Sequence, residues 1–230
     1  MAPDQASASS VHVSEFNGEG LRTNGRIFGF DRREGAYSCS GTALNTPSRS
    51  IVLTAGHCVI EDGVVGRHLS FVPAYDHGLR PFGTFRVQVA YVMPPWIEGE
   101  NPDFDVAALR VAPSRFGKLA DVVGGRGYVT GRWRLGDFQI YGYPAAALKG
   151  EELRSCKARG LGSDPFTFHF LGPPTVPSSC DMAGGASGGA WIVEGAYVNG
   201  VTSYGYPSEP GKLYSPYFGP AVGSFLAQLS

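Results

Sequence analysis

The segment SSCDMAGGASGGAW, residues 178–191, surrounds Ser187 with four glycines and carries a cysteine, Cys180, seven residues before that serine. Glycines let the backbone turn tightly and leave its N–H groups exposed. The amides of Gly185 and Ser187 could then point together at a developing oxyanion, which stabilises a tetrahedral intermediate. A turn without chemistry is the alternative, but it would not need a disulfide-forming cysteine upstream. We therefore interpret Ser187 as a nucleophile.

A second motif, SIVLTAGHC at residues 50–58, ends an apolar strand on His57 and continues directly into Cys58. A lone histidine is more often structural than catalytic. Here the strand end gives rigid placement, and a disulfide at the next residue would fix the backbone of the histidine. A general base needs such placement, because proton transfer requires hydrogen-bond reach. The setting favours His57 as a base.

The third motif, DFDVAAL at residues 103–109, is a turn that runs into an apolar strand. Asp105 directly precedes the apolar run, so its carboxylate would be held half-buried. A buried carboxylate is costly unless it is paired, and a histidine N–H would supply the partner. The alternative is that Asp103 and Asp105 both solvate a turn. We predict Asp105 as the acid, with Asp103 as the second choice.

The order of these residues separates two classes of hydrolase. GASGG also fits the G-x-S-x-G pattern, which requires the order serine, acid, histidine. No histidine occurs among the 43 residues after Ser187, so that reading fails. The observed order is His57, Asp105, Ser187, which is the order found in chymotrypsin.

The composition predicts a β-rich chain. The 230 residues include 33 glycines and 17 prolines, and 43% of the residues are hydrophobic. Short runs rich in β-branched and aromatic residues alternate with turn clusters. A glycine-rich link near residues 124–128 separates two series of such runs. We therefore expect an all-β fold with one β unit over residues 25–123 and another over residues 124–230.

The two ends of the chain have different patterns. Residues 1–24 begin with a small, polar stretch and are expected to be loosely ordered. GPAVGSFLAQLS at residues 219–230 predicts a short C-terminal helix that begins at Pro220, because proline favours the first helical position.

Charge and cysteine usage limit the partners and the compartment. Nineteen Lys and Arg residues against twenty Asp and Glu residues give a net charge of −1, without a basic stripe, so nucleic acid and anionic membranes are excluded as expected partners. No apolar run approaches the roughly 20 residues that span a bilayer. Four cysteines without CxxC spacing favour two disulfides over a zinc site and allow three pairings. Two disulfides favour an oxidising compartment, so we expect a secreted protein. MAPDQASASS lacks the apolar core of a signal peptide, and we therefore expect the sequence to be the mature form.

TAGHC, DVAAL and GGASGG, together with SYG at residues 203–205, resemble the trypsin/chymotrypsin superfamily of serine peptidases. CDMAGGASGGAW is most similar to its secreted bacterial branch, which includes the glutamyl endopeptidases. The resemblance extends from about Gly25 to the terminal helix. It implies two packed antiparallel β-barrels, chymotrypsin-like, with the active site between them and with no cofactor or metal.

The resemblance also implies roles for individual residues. His57 would be the base, Asp105 its orienting acid and Ser187 the nucleophile, with Gly185 and Ser187 as oxyanion donors. The implied disulfides are Cys39–Cys58 and Cys156–Cys180. The pocket for the substrate residue before the scissile bond (P1) is expected at Asp181, Met182, Thr202, Ser203, Tyr204, Gly205 and Lys212.

The P1 preference stays open at the level of sequence. Asp181 stands six residues before Ser187, where trypsin-like enzymes carry the aspartate that selects Arg or Lys. Similar bacterial enzymes of other specificity carry it too, and Met182 replaces the small hydroxyl residue that glutamyl enzymes favour. We expect Asp181 to pair with Lys212, so that the two charges cancel.

One departure from the family pattern concerns activation. Ala186 and Ala190 replace the Asp and the Pro of the commoner GDSGGP. In trypsin-like zymogens that Asp pairs with a new N-terminus, and Arg26-Ile27 resembles an activation site. Only 12 positions separate Ile27 from Cys39, which matches a first barrel strand. We therefore expect the bond to stay intact, with the oxyanion loop held by its glycines and the Cys156–Cys180 bridge.

Together these observations predict a monomeric serine endopeptidase that hydrolyses polypeptides through an acyl-enzyme intermediate. Two alternatives remain. A non-catalytic binding protein can use a protease fold, since fold does not imply activity. Such proteins usually lack one residue of the catalytic triad, which here would be His57, Asp105 and Ser187. An esterase would use the same three residues.

Overall fold

The computed structural model describes residues 8–13, 18–145, 149–168 and 170–229. The strands are β1 (Val11–His12), β2 (Asn24–Asp31), β3 (Gly35–Leu44), β4 (Ile51–Thr54), β5 (Ile60–Glu61), β6 (Val64–Val65), β7 (Arg67–Pro73), β8 (Phe85–Val92), β9 (Ala107–Val111), β10 (Gly127–Tyr128), β11 (Asp137–Gly142), β12 (Arg154–Arg159), β13 (Val176–Ser179), β14 (Ala190–Val193), β15 (Tyr197–Val201) and β16 (Lys212–Ser215). The helices are α1 (Glu19–Arg22), α2 (Pro94–Gly99), α3 (Leu119–Val123) and α4 (Pro220–Ala227), with 3₁₀ turns at Pro102–Phe104 and Pro165–Thr167.

Six antiparallel strands form a closed barrel in the order β2-β3-β4-β9-β8-β7. Closure leaves no free sheet edge, so every strand has two hydrogen-bonded neighbours. The interior is filled by large apolar side chains such as Ile27, Phe71 and Phe85. The first β unit of the sequence is therefore a barrel.

The second half of the chain builds a six-stranded sheet in the order β1-β12-β11-β14-β15-β10 and a separate pair, β13-β16. The strands are antiparallel except for the short parallel pair of β10 with β15. The helix α4 follows, and its buried side chains Val222 and Leu226 belong to the core described next. This mostly stranded architecture, with a short C-terminal helix, confirms the predicted chymotrypsin-like fold class.

A shared core joins the barrel to the second unit. Successive side chains of a strand point to opposite faces, so in β4 Val52 fills the barrel, whereas Ile51 and Leu53 point outward. There they pack in one cluster with Ile192 and Phe218 of the second unit. The unbroken apolar run of β4 is explained by burial on both faces, and it fixes the two units against each other.

The described part of the N-terminal segment, which was expected to be loosely ordered over residues 1–24, contains a short strand and a helical turn. Residues 1–7 and 14–17 lie outside the described residues. Val11–His12 pairs with the edge strand β12, opposite Ser155 and Arg154, and Glu19–Arg22 is helical. Pairing with an open sheet edge is the physical reason for the order of β1. The predicted division between residues 123 and 124 remains a prediction.

Among the described residues, no helix combines the length and apolar character needed to cross a membrane.

The suspected activation bond Arg26-Ile27 lies in β2, which pairs with β3 on one side and β7 on the other. Arg26 is only 8% exposed, and its guanidinium donates to Glu151 Oε1 at 2.8 Å and to the Lys149 carbonyl at 2.8 Å. A protease would have to open the barrel to reach this bond.

We therefore predict that the active protein keeps Arg26 and Ile27 joined. Arg26→Gln should retain activity while losing about 2 kcal/mol of folding free energy, because hydrogen bonds to a charged group are removed. Arg32→Gln, an exposed arginine in the β2–β3 turn, is the control for stability. Thermal unfolding and mass spectrometry of the N-terminus check this. An active parent that begins at Ile27, beside an inactive Arg26→Gln protein, would contradict it.

Candidate active site

His57 lies in the turn that follows β4, and glycine at the preceding position allows its backbone to approach an acid. A Cβ atom at Gly56 would lie 2.7 Å from the Trp96 ring and 2.9 Å from Asp105 Oδ1. Only glycine fits this space without displacing a neighbour. The TAGHC motif therefore includes a steric requirement as well as a histidine.

Asp105 is 1% exposed and follows the 3₁₀ turn Pro102–Phe104. Its Oδ1 accepts from the His57 backbone N–H at 2.8 Å, and its Oδ2 lies 2.8 Å from His57 Nδ1. The Ser203 hydroxyl also donates to Oδ2. A carboxylate only accepts hydrogen bonds, so the Nδ1 atom carries the proton and Nε2 is left as an acceptor.

The structure thus joins Asp105, the first choice from the sequence, to His57. Asp103, the second choice, is fully buried. Its backbone N–H donates to Asn101 Oδ1 at the start of the 3₁₀ turn, and the hydrogen bonds of the described residues do not join it to His57.

The electrostatics of His57 and Asp105 are coupled. Burial lowers the pKa of His57, but the charge and hydrogen bond of Asp105, with the charge of Glu61, outweigh it and raise the pKa above its ordinary value. Burial raises the pKa of Asp105, but the charge of His57 and the hydrogen bonds from His57 and Ser203 prevail and lower it. The carboxylate therefore stays ionised beside the imidazole.

Ser187 lies in the loop between Cys180 and β14, and this loop is docked on the barrel. Its carbonyl accepts from the Ser40 N–H at 2.7 Å. Gly188 has a φ of 77°, and a Cβ atom there would collide with the Thr54 hydroxyl. The glycine after Ser187 is required both by its conformation and by the close approach of β4.

Ser187 and His57 line one cavity of about 350 Å³ together with Gly184, Gly185 and Glu61. Among the hydrogen bonds of the described residues, none joins the Ser187 hydroxyl directly to the His57 ring. Catalytic hydrogen bonds are often formed only when substrate is bound. The cavity brings together a serine, an imidazole acceptor and an acidic rim, which consists of Asp31, Glu34 and Glu61.

The backbone N–H groups of Gly185 and Ser187 are the oxyanion donors expected from the sequence. Gly184 O accepts from the Ala145 N–H at 2.6 Å. Because the peptide unit is planar and trans, the Gly185 N–H on the same unit points the opposite way. Neither the Gly185 nor the Ser187 N–H donates to an acceptor among the described residues. Both residues line the cavity with His57.

A second cavity of about 480 Å³ adjoins Ser187 and is lined by the whole set of expected pocket residues: Asp181, Met182, Thr202, Ser203, Tyr204, Gly205 and Lys212. The expected Asp181–Lys212 pair was wrong. Lys212 Nζ bonds Glu209 Oε1 at 2.8 Å, and Asp181 Oδ1 accepts from the Ser10 N–H at 2.8 Å. Glu209 is three residues from Lys212 in the same turn, so it reaches the ammonium first.

Sequence reasoning missed the aromatic wall of this pocket. The hydroxyls of Tyr204 and Tyr206 both donate to Asp164 Oδ2 at 2.8 Å, and Asp164 is 1% exposed. The Tyr204 ring stacks on Tyr214 with centroids 4.8 Å apart. The tyrosine-rich SYGY segment was the available signal, but Asp164 is 40 residues from Tyr204.

The structure contains both implied disulfides, Cys39–Cys58 and Cys156–Cys180. The first is adjacent to His57 and the second begins the Ser187 loop. Two groups of described residues each bring three potential metal ligands together, but two of the three in each group are disulfide sulfurs. A disulfide offers no thiolate to a metal.

A histidine bonded to a buried aspartate lines the same cavity as a serine, on a mostly stranded fold, and this arrangement is typical of chymotrypsin-like serine hydrolases. The sequence model of the family described as Trypsin matches residues 20–219. The chain belongs to the trypsin family and is a serine endopeptidase, which confirms the resemblance seen in the sequence.

Solved structures of bacterial and other microbial proteases are similar to this chain. Protease Anisep from Arthrobacter nicotinovorans is 35% identical, with a TM-score of 0.82 over 90% of this chain and 95% of that chain. The thermostable serine protease AL20 from an extremophilic microorganism is 29% identical, with a TM-score of 0.83 over 93% of this chain and 99% of that chain.

A curated relative matches part of the chain by sequence. This extracellular metalloprotease of Bacillus subtilis is 28% identical over 95 residues, which are 41% of this chain and only 28% of that protein.

The acidic rim gives a test of the electrostatics. We predict that His57 titrates above its ordinary pKa of 6.5, and that Glu61→Gln moves the titration to lower pH, because one negative charge that favours the imidazolium is removed. NMR of labelled histidine, assigned with His57→Asn, measures this.

Glu34→Gln removes a charge from the same cavity and is the control, with a smaller expected shift. A His57 pKa below 6.5, or one that Glu61→Gln leaves unchanged, would contradict the prediction.

Proposed function

We propose that this protein cleaves peptide bonds through an acyl-enzyme intermediate formed on Ser187, with His57 as general base and Asp105 as its orienting acid. The observation that carries the proposal is the pair of contacts from Asp105 to the His57 backbone N–H and Nδ1, at 2.8 Å each. They fix the ring so that Nε2, the only remaining acceptor, is available to the serine. The unit over residues 25–123 supplies base and acid, and the unit over residues 124–230 supplies the nucleophile.

In the first half-reaction His57 Nε2 takes the proton of the Ser187 hydroxyl while Oγ attacks the substrate carbonyl carbon. The carbonyl oxygen becomes an oxyanion that accepts from the N–H groups of Gly185 and Ser187. The imidazolium then gives its proton to the leaving nitrogen as the C–N bond breaks, and the amine product departs. Ser187 is left as an ester of the acyl group.

In the second half-reaction water replaces the amine. His57 accepts a proton from water, the resulting hydroxide attacks the ester carbon, and a second oxyanion forms at the same two amides. The ester C–O bond breaks, and His57 returns the proton to Ser187 Oγ. Asp105 remains ionised throughout, because it stabilises the imidazolium by charge and does not take the proton.

The larger cavity is proposed to hold the P1 side chain, and the edge Ser203–Gly205 to pair with an extended substrate. Asp181 lies at this cavity without Lys212 as a partner, since that lysine bonds Glu209. An aspartate at this position that no lysine neutralises can bind a P1 Arg or Lys side chain through its negative charge. Profiling on a peptide library tests this preference.

The site of action is proposed to be extracellular, with the protein acting as a monomer. Two disulfides favour an oxidising compartment.

The proposal predicts that a fluorophosphonate labels the parent and that peptide mapping locates the adduct on Ser187. Ser187→Ala should lose roughly 10⁶-fold in kcat, because the triad acts as a unit. Asp105→Asn should lose about 10⁴-fold, because it favours the wrong tautomer of His57. Both variants should stay folded by circular dichroism.

His57→Asn is compared with His77→Asn. His77 also pairs with an aspartate, at 2.7 Å from Asp76, but lies on the surface, so its variant should keep full activity. Absence of labelling in a folded parent would favour a binding protein. Turnover of esters without any turnover of peptides would favour an esterase.

A further inference from the structure

We propose that Ser40 is a positioning residue, whose hydroxyl holds the oxyanion loop, residues 183–187, in its working conformation. The inference rests on the proposed function, because it concerns the amides that bind the oxyanion. Ser40 belongs to β3 of the first barrel, whereas the oxyanion loop belongs to the second unit.

The Ser40 hydroxyl makes two hydrogen bonds across this boundary. Its Oγ donates to Gly185 O at 2.8 Å and accepts from the Tyr143 N–H at 2.9 Å. Ser40 is 2% exposed, so its contacts are shielded from bulk solvent. One hydroxyl of the barrel thus satisfies a half-buried acceptor, Gly185 O, and a buried donor, the Tyr143 N–H.

The backbone of Ser40 is used in the same way. Its N–H donates to Ser187 O at 2.7 Å, and its carbonyl accepts from Thr54 Oγ1 at 2.8 Å. Thr54 thereby orients Ser40, and Ser40 contacts the oxyanion loop at both Gly185 and Ser187. Both contacts are made to carbonyl groups, and both residues line the cavity that contains His57.

The loop needs such support because its own sequence does not dictate its conformation. Gly185 has a φ of 94° and follows another glycine, so both peptide units beside it can rotate at little cost. Rotation of the Gly184–Gly185 unit would turn the Gly185 N–H away from the cavity. The unit before Gly185 is held by the Ala145 N–H on Gly184 O, and the unit after it by the Ser40 hydroxyl on Gly185 O.

The oxyanion loop has no charged side chain at residue 186, where trypsin-like zymogens carry an aspartate. Ala186 is fully buried among apolar side chains and has no group for an ion pair. The sequence predicted that glycines and the Cys156–Cys180 bridge would hold the loop. The contacts add a direct fastening to the first barrel, and it needs neither a charged side chain nor a cut at Arg26.

Ser40→Ala tests this assignment. We expect kcat per active site to fall about 10-fold to 100-fold, as for partial loss of one oxyanion donor, with KM within about 3-fold of the parent. Active sites are counted by fluorophosphonate titration, so that misfolded protein does not enter the rate. A peptidyl boronate, whose tetrahedral adduct places an oxygen at the two amides, should lose affinity by the same factor as kcat. Ser40→Thr, which keeps the hydroxyl, should restore most of the rate.

Thr42→Val is the matched control. Thr42 is a buried residue of the same strand whose hydroxyl bonds Thr23 O at 3.3 Å, away from the oxyanion loop. It should lower the melting temperature without changing kcat per site. If Ser40→Ala does not fold, Ser40→Gly, which cannot clash, is measured in its place with the same expectation.

A Ser40 variant without the hydroxyl that retains kcat per site within about 2-fold, or that loses no more than Thr42→Val, overturns the assignment. A folded parent that is not labelled at Ser187 overturns this inference together with the proposed function. A labelled, active parent beside an unaffected Ser40→Ala protein overturns this inference alone.

Discussion

The buried carboxylate of Asp105 is the constraint on which the rest of the site depends. Removing a charged carboxylate from water costs on the order of several kcal/mol unless hydrogen bonds replace its hydration. Here the replacement comes from both halves of the molecule: two N–H groups of His57 in the barrel and the Ser203 hydroxyl of the second unit. A shift of one unit against the other would remove the Ser203 hydrogen bond from this carboxylate and leave only the two His57 contacts of its own unit. The geometry of the site and the packing of the two units are therefore coupled.

The shared core explains how that coupling is maintained. The strand β4 sends Val52 into the barrel and Leu53 into the cluster shared with the second unit, and it ends three residues before His57. The same strand provides Thr54, against which Gly188 packs without a side chain. The strand that places the proposed base thus also provides the surface that receives the nucleophile loop. Ser40, on the neighbouring strand, completes this contact.

The sequence was informative where chemistry and local structure coincide. TAGHC and DVAAL lie where strands end or begin, so the pairing of His57 with Asp105 could be predicted from the residues beside them. The Asp181–Lys212 pair failed because a closer carboxylate, Glu209, was not weighed. The role of Ser40 could not be predicted, because nothing in CSGTAL distinguishes it, and its hydroxyl partners are 145 and 103 residues away. Contacts of that kind depend on how the two units dock, which a local pattern does not contain.

In the proposed mechanism the proton equilibrium of His57, set by Asp105, controls the reactivity of Ser187. The second-order rate of fluorophosphonate labelling at Ser187, measured as a function of pH beside the NMR titration of His57 in the same protein, tests this dependence. Protonated His57 cannot accept the serine proton, so we predict that labelling is slow below the pKa of His57 and rises with the same midpoint as the imidazole signal, above pH 6.5. A labelling rate that does not change with pH, or that rises at a different midpoint, would contradict it.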